Sequence, residues 1–347
     1  VLSGHTREIR DVAWSGDGVS IATASNDRTV RLWDATGGGH FNALKGHTGM
    51  VLCVTFSPAG QFVVSGGNDQ SIRVWHRDSG EEAAVIHGHR DGVQTVAMID
   101  DDRIVAGDRG GQLRIWHIRG KRVIDRFDGE SLDRFVAVRL SPDGRSWAGL
   151  CSDGRLLMRD MGMNRTRVVR TGLATQYPWG GRERLAFSPD GLQLYCSGRI
   201  LQRTATDNDD WQSVLELDVP AGVPGHFSPD GKVLATGWNA QIHLWNPRDG
   251  ARIRRIDAAD GKLTGLRFSP DAEQLASWSL SGPIVLWDWQ TGRALKTIDV
   301  GDSQVIDLEY SPRGRRFATC DKQGAVHLWD ASEGTQQRSD VGDGSSS

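Results

Sequence analysis

An all-β fold built from repeated small sheets is predicted by three features of this sequence. A short phrase returns eight times: Ser-Gly-Asp-Gly at Ser15, Ser-Pro-Ala-Gly at Ser57, Ser-Pro-Asp-Gly at Ser141, Ser188 and Ser228, Ser-Pro-Asp-Ala at Ser269, Ser-Pro-Arg-Gly at Ser311, and a worn copy around Ile99. After most copies a Trp closes an alternating apolar run, as in Thr29-Val-Arg-Leu-Trp33, Ser71-Ile-Arg-Val-Trp75, Gln112-Leu-Arg-Ile-Trp116, Ile242-His-Leu-Trp245, Ile284-Val-Leu-Trp287 and Val326-His-Leu-Trp329. Glycine supplies 43 of 347 residues, which suits a chain that reverses every few residues and disfavours long helices. The copies recur at about 42 residues, and a period of that length holding several short strands describes one blade of a β-propeller. The prediction is a single closed eight-bladed ring of four-stranded antiparallel blades over residues 1–340, with a disordered tail at 341–347.

The second repeat justifies each element in turn. After Gly46-His47 comes a first strand, Val51-Leu-Cys-Val-Thr-Phe56, ended by a turn in which Pro58 presets φ and Gly60 permits the reversal. Phe62-Val-Val-Ser65 is a second strand, Gly66-Gly-Asn-Asp69 a turn, and Ser71 to Trp75 a third strand. Asp78-Ser-Gly80 turns the chain into an outer fourth strand, Glu82 to Ile86. Such a sheet is apolar on both faces and must bury them against neighbours, so stability resides in the ring.

Composition removes several classes of function. A net charge of -3 gives no general attraction to nucleic acid or anionic lipid, and no stretch approaches a membrane span or secretory h-region. Cys53, Cys151, Cys196 and Cys320 lie in apolar strand segments of different repeats and form no C-x-x-C pair, so buried free thiols and a cytoplasmic setting are expected. Val1-Leu-Ser-Gly-His5 matches Ala43-Leu-Lys-Gly-His47. The chain is therefore expected to begin within an outer strand and to be part of a longer protein, and residues 1–3 are expected to complete the last blade, covering an exposed edge.

Four residue types recur at fixed offsets in the first two repeats: His5, Thr23, Asp27 and Trp33, then His47, Ser65, Asp69 and Trp75. This order of Gly-His, Ser-Pro-Asp-Gly, Ser/Thr, Asp and Trp-Asp resembles the WD-repeat (WD40) β-propeller family over nearly the whole chain. The resemblance implies that these eight residues form structural hydrogen-bond networks joining the indole N–H, hydroxyl, imidazole and carboxylate. Ser65, His47 and Asp69 also have the composition of a hydrolase triad. The set occurs twice, once with Thr, and lacks a Gly-x-Ser-x-Gly elbow to raise a nucleophile, which favours the structural role. His87-Gly-His89 has the look of a metal pair, but His89 falls on the Gly-His position of the third repeat. Asp100-Asp-Asp102 and Asp207-Asn-Asp-Asp210 lack the glycine and distal glutamate of a calcium loop. No metal, cofactor or catalytic residue is assigned.

From the third repeat on, the pattern decays. Ala106 and Gly110 occupy the hydroxyl and Asp positions of the third, Met158 replaces Trp in the fourth, and the fifth has no Trp in its short third strand, Arg199-Ile-Leu-Gln-Arg203. The sixth has Thr236 and Trp245, the seventh Ser277 and Trp287 with Ser281 in the Asp position, and the eighth Thr319 and Trp329 with Gln323 there. Loss of single networks is tolerable where burial between blades dominates. A second reading makes blades four and five an interaction surface, with Trp147, Tyr177, Trp179 and Trp211 as exposed aromatic anchors.

Loops entering the inner strands make one rim of the ring, with side chains free of packing duties, and the resemblance implies that this rim binds peptides or protein surfaces. Alignment of the repeats places Glu8, Arg10, Asn26, Met50, Leu52, Asn68, Gln94, Arg109, Arg134, Glu183, Val223, Trp238, Lys262, Leu280, Gln304, Ile306 and Lys322 there. This mixture suits a protein or peptide better than a metabolite or a phosphate backbone. The expected function is a non-catalytic binding or sensor module of a larger regulatory protein, such as the nucleotide-switch ATPases and signalling kinases that carry similar repeats. Its partners would include other domains of that protein, with no membrane contact and with nucleic acid disfavoured. Two alternatives remain: nucleic-acid binding through Arg165-Thr-Arg167-Val-Val-Arg170 or Arg252-Ile-Arg-Arg255, and a hydrolytic or metal-dependent enzyme with its site in the channel mouth.

Overall fold

The architecture follows from how each repeat ends its first strand. The structure, a computed structural model, describes every residue except 37–39, 129–134, 161–164, 171–184, 205–210, 221, 259–262, 280–281 and 337–347, so the expected tail at 341–347 lies outside the described residues. In the repeated phrase, Ser15 Oγ donates to Asp17 Oδ1 at 2.5 Å and accepts the Ser20 N–H at 2.9 Å, while Asp17 also accepts the Val19 N–H. Ser141, Ser188, Ser228 and Ser269 make the same hydroxyl-to-Asp bond. The fourth residue must enter left-handed backbone, as Gly18 does at φ 73° and Ala272 at φ 60°. The phrase is thus a pre-satisfied reversal joining first to second strand.

Each repeat becomes an antiparallel meander with its strands in sequence order. The inner strands are Ile9–Trp14, Val51–Phe56, Val93–Met98, Phe135–Leu140, Leu185–Phe187, Gly225–Phe227, Leu263–Phe268 and Val305–Tyr310. Seven blades add three further strands, and the eighth adds two, Arg316–Asp321 and Val326–Asp330. Its fourth position is filled from both ends of the chain: Leu2 exchanges backbone hydrogen bonds with Val326 at 2.7 and 3.2 Å, and Gln336 bridges Trp329. The N-terminal contribution expected from the sequence is present, and the C-terminal segment shares the task.

Alternating side chains place one apolar row on each face of a blade, and the rows of adjacent blades merge. Eight buried clusters result, one at each junction, and the last joins Leu2, Ile9, Ile21 and Trp33 to Ala318, Cys320, Val326 and Leu328. That cluster closes the ring, and the Trp14 indole adds a bond to the Glu309 carbonyl at 3.0 Å. Polar ties also cross blades: buried Asp11 accepts the Val54 N–H at 2.6 Å. The chain is an all-β, eight-bladed propeller. All four cysteines are buried and none forms a disulfide, and among the described residues no helix is long and apolar enough to cross a membrane.

Candidate functional site

The recurring polar residues of blades one and two are connected in one direction. Trp33 Nε1–H donates to Thr23 Oγ1 at 2.9 Å, Thr23 meets His5 Nε2 at 2.8 Å, and His5 Nδ1 meets Asp27 at 2.7 Å. The carboxylate only accepts, so Nδ1 carries the proton and Nε2 accepts from the hydroxyl. Blade two repeats the chain from Trp75 to Ser65 at 3.0 Å, His47 at 2.8 Å and Asp69 at 2.9 Å. Ser65 is enclosed and its oxygen already accepts the indole proton, so the hydroxyl has no free approach to a substrate. The Thr48 N–H and the Ser71 hydroxyl complete the Asp69 shell.

Burial alone would raise the pKa of Asp27 and Asp69, but hydrogen bonds from His5 and Thr29, and from His47 and Ser71, outweigh it and hold both well below the usual carboxylate range. Because the folded-state values are depressed, this stabilisation is present above the unfolded value of about 4 and is lost as pH falls through the folded value. The double variant Asp27→Asn/Asp69→Asn is expected to be less stable than the parent at pH 7, with the gap closing below about pH 4. Urea midpoints between pH 7 and 2 measure it. A gap that ignores pH would remove the carboxylate charges from the account.

Blade three corrects the sequence-based assignment. Ala106 and Gly110 do stand at the aligned positions, yet His89 Nδ1 finds Asp108 at 3.0 Å, and with no hydroxyl present Trp116 Nε1 donates to His89 Nε2 at 3.3 Å. Asp108 ends the second strand two residues earlier than expected and reaches the same imidazole. In blade eight the corresponding residue, Asp321, takes His327 at 3.2 Å, whereas Gln323 faces the Asp302 carbonyl. Trp245, Trp287 and Trp329 keep their bonds to Thr236, Ser277 and Thr319 at 2.8–2.9 Å.

At the rim the networks set loop geometry. The backbone N–H groups of Asn26, Asn68, Arg109 and Lys322 donate to the carbonyls of Glu8, Met50, Gly92 and Gln304 at 2.9, 2.8, 2.9 and 3.2 Å. These contacts bring the aligned positions of blades one, two, three and eight together at the ends where the inner strands begin. Asn26 Nδ2 also donates to Glu8 Oε2 at 3.0 Å, and Arg10 lies 3.5 Å from Glu8. Arg10, Asn68, Met50 (42% exposed) and Trp238 (37%) reach solvent. Leu52, Gln94, Arg109, Gln304, Ile306 and Lys322 are half-buried, and Ile306 packs on the cluster joining blades eight and one. Val223 is a correction: the loop entering blade six tucks against Tyr195 of blade five, whose hydroxyl donates to the Val223 carbonyl at 3.0 Å, and the Val223 side chain is buried. Arg134, Glu183, Lys262 and Leu280 lie outside the described residues.

The proposed aromatic anchors of blades four and five divide similarly. Trp147 is fully buried between blades three and four and Trp211 between blades four and five, so neither presents a surface. Tyr177 and Trp179 lie outside the described residues, as do the side chains of Arg165, Arg167 and Arg170.

Sequence reasoning expected a channel but did not identify the residues that line it. Inner strands of all eight blades surround a cavity of about 420 Å³. One layer of its lining stands two residues before the repeated phrase: Ala13, Thr55, Ala97, Arg139, Ala186, His226, Arg267 and Glu309. That fixed offset was the available signal. The layer is chemically uneven, small on blades one to three and five and polar on the others, with Arg267 and Glu309 in an ion pair. Burial, then the Arg267 charge, pushes the His226 pKa down to about 3, and the ring accepts the Phe268 N–H at 3.4 Å. The imidazole is thus held neutral within the channel lining, beside the Arg267–Glu309 pair. Among the described residues no group of three or more His, Cys, Asp or Glu is placed to hold a metal ion.

Comparison with known proteins agrees with this geometry. The family model described as "WD domain, G-beta repeat" matches residues 1–34, 39–76, 80–117 and 292–330. These are blades one, two, three and eight, where His or Asp partners accompany the Trp. Cilia- and flagella-associated protein 52 of Sus scrofa is 22% identical over 203 residues, covering 56% of this chain and 32% of that protein. The probable cytosolic iron-sulfur protein assembly protein Ciao1 of Culex quinquefasciatus is 62% identical over 39 residues, 11% of this chain and 12% of the relative. A 6-deoxy-6-sulfogluconolactonase of Pseudomonas putida is 27% identical over 214 residues, 50% of this chain and 66% of that enzyme. Each match thus spans less than two thirds of the relative's own length. Four of the eight blades thus match the WD-repeat family model, and the same four-stranded meander continues through the blades between them.

Proposed function

We propose that this chain is a non-catalytic protein- or peptide-binding module, using the rim where the inner strands begin, and that it serves as a regulatory or sensor part of a larger protein. The observation that carries the reading is a division of labour. The His, Asp and Ser/Thr groups that resemble catalytic machinery are consumed by internal hydrogen bonds, while Arg10, Met50, Asn68 and Trp238 above them are exposed. Aromatic, Arg and Met side chains on a rigid rim are the types that anchor interfaces. Buried cysteines that form no disulfide fit a reducing, cytoplasmic setting.

Peptides selected on this chain from a random displayed library test the rim. Met50→Asp and Arg10→Glu with Trp238→Ala are each expected to weaken the selected peptides by about tenfold or more without lowering the thermal midpoint. Equal affinity in all three proteins would move binding elsewhere.

A further inference from the structure

Blade six carries an anomaly that the rim does not use. His243, two residues before Trp245 on the third strand Gln241–Trp245, is 4% exposed and stacks on the Trp245 ring at 5.9 Å and 21°. Both of its ring nitrogens are buried and have no hydrogen-bond partner. Its cross-strand neighbour on the outer strand Arg252–Asp257 is Arg255, and Arg252 stands opposite Trp245. Side chains alternate, so His243 and Arg255 share the sheet face that Trp245 turns toward Tyr195 and Ile200 of blade five.

At two equivalent positions elsewhere in the ring the side chain has a charged or polar partner on its own blade. In blade two the residue two before the Trp is Arg73, and Glu82, opposite Trp75 as Arg252 is opposite Trp245, forms an ion pair with it. In blade eight it is His327, held by Asp321 at 3.2 Å and by the Gln336 amide at 2.7 Å, with Gln336 opposite Trp329. In blade six the residue opposite Trp245 is itself a cation, and Trp238 stands where blade eight has Asp321. Of the carboxylates facing this group, Asp257 is 3.4 Å from Arg255 and also accepts from Gln241, and Asp218, on the loop before blade six, is exposed. Burial and the positive charges of Arg252 and Arg255 hold the His243 pKa below its ordinary value, against the opposing charges of Asp218 and Asp257. Arg252, Arg254 and Arg255 are exposed beside Ile253, which is 50% exposed, so the face combines surplus positive charge with an aliphatic contact on a chain whose net charge is -3.

We propose that the outer face of blade six, at Arg252, Arg255 and His243, docks the carboxylate of an acidic protein segment, which takes the place that Glu82 fills internally in blade two. The aliphatic residue beside that carboxylate rests on Ile253. This surface is separate from the rim, so the chain has two binding faces. A carboxylate docked on Arg252 and Arg255 offsets the positive charges that hold the buried imidazole neutral and favours its protonated form.

The test follows His243 by nitrogen NMR in the intact chain, with an acetylated hexapeptide of alternating glutamate and leucine as probe. Saturation with the peptide is expected to raise the midpoint of the His243 titration by about one pH unit, as a carboxylate within ion-pair distance does. Arg252→Glu rebuilds the blade-two pattern. It is expected to raise that midpoint without peptide and to weaken the peptide by about tenfold or more, while Arg10→Glu on the rim leaves the peptide's affinity unchanged. Binding of the glutamine analogue as tightly as the glutamate peptide would overturn the proposal, as would an Arg252→Glu variant indistinguishable from the parent. Inorganic phosphate that moves His243 equally at the same concentration would overturn the acidic segment as occupant. Because Arg10→Glu reports on the rim alone, failure of one binding face is distinguishable from failure of the other.

Discussion

Trp75→Ala is expected to lower the free energy of unfolding by about 3–5 kcal/mol, the usual cost of emptying a large buried aromatic site. Trp75 is 2% exposed and belongs to the cluster that seals blade one against blade two, together with Leu32, Leu44, Val54 and Phe56. Alanine would leave a cavity between two sheets whose strands are fixed by their own ladders, so collapse into the void is limited. It would also leave Ser65 without the indole donor. Trp75→Phe separates the two effects: most of the ring remains, the N–H is gone, and the expected loss is about 1–2 kcal/mol. Urea unfolding of both variants decides between them. If phenylalanine costs as much as alanine, the hydrogen bond outweighs packing at this junction; if it costs nothing, the network adds no net stability.

Gly265→Ala is expected to destabilise by at least about 1–3 kcal/mol through overpacking. Gly265 lies on the inner strand of blade seven, and a Cβ there would stand 2.0 Å from the Trp278 ring on the adjacent strand. Trp278 is 1% exposed and packed between blades seven and eight, so the ring cannot swing away as a surface side chain would. Trp278→Leu removes the collision at the cost of its own packing. The double variant Gly265→Ala/Trp278→Leu should therefore be more stable than the sum of the single losses predicts, which a double-mutant cycle measures. Strict additivity would mean that the glycine is needed for another reason.

Much of the ring was legible because each blade repeats one local solution. The Ser-Pro-Asp-Gly turn satisfies its own polar groups within six residues, so its sequence and conformation are coupled without help from the rest of the chain. The Trp, Ser/Thr, His and Asp of blades one and two also act within a single blade, and their offsets were readable. Asp108 was not: it occupies a different offset, and only the fold shows that a carboxylate two residues nearer reaches the same imidazole. Val223, Trp147 and Trp211 were misplaced because aligned position or aromatic type does not report what the neighbouring blade puts against a side chain.

The sequence alone determined the repeat, the strand order within a blade, the number of blades and the residues of the two complete networks, because all of these rest on contacts between residues less than one repeat apart. Tertiary structure decided what depends on neighbouring or distant repeats. It joined Leu2 to the last strand at the closure and gathered Arg139, His226, Arg267 and Glu309 around the channel. Those outcomes follow from the ring bringing residues of different blades to the same height and face, a relation that no spacing within one repeat encodes.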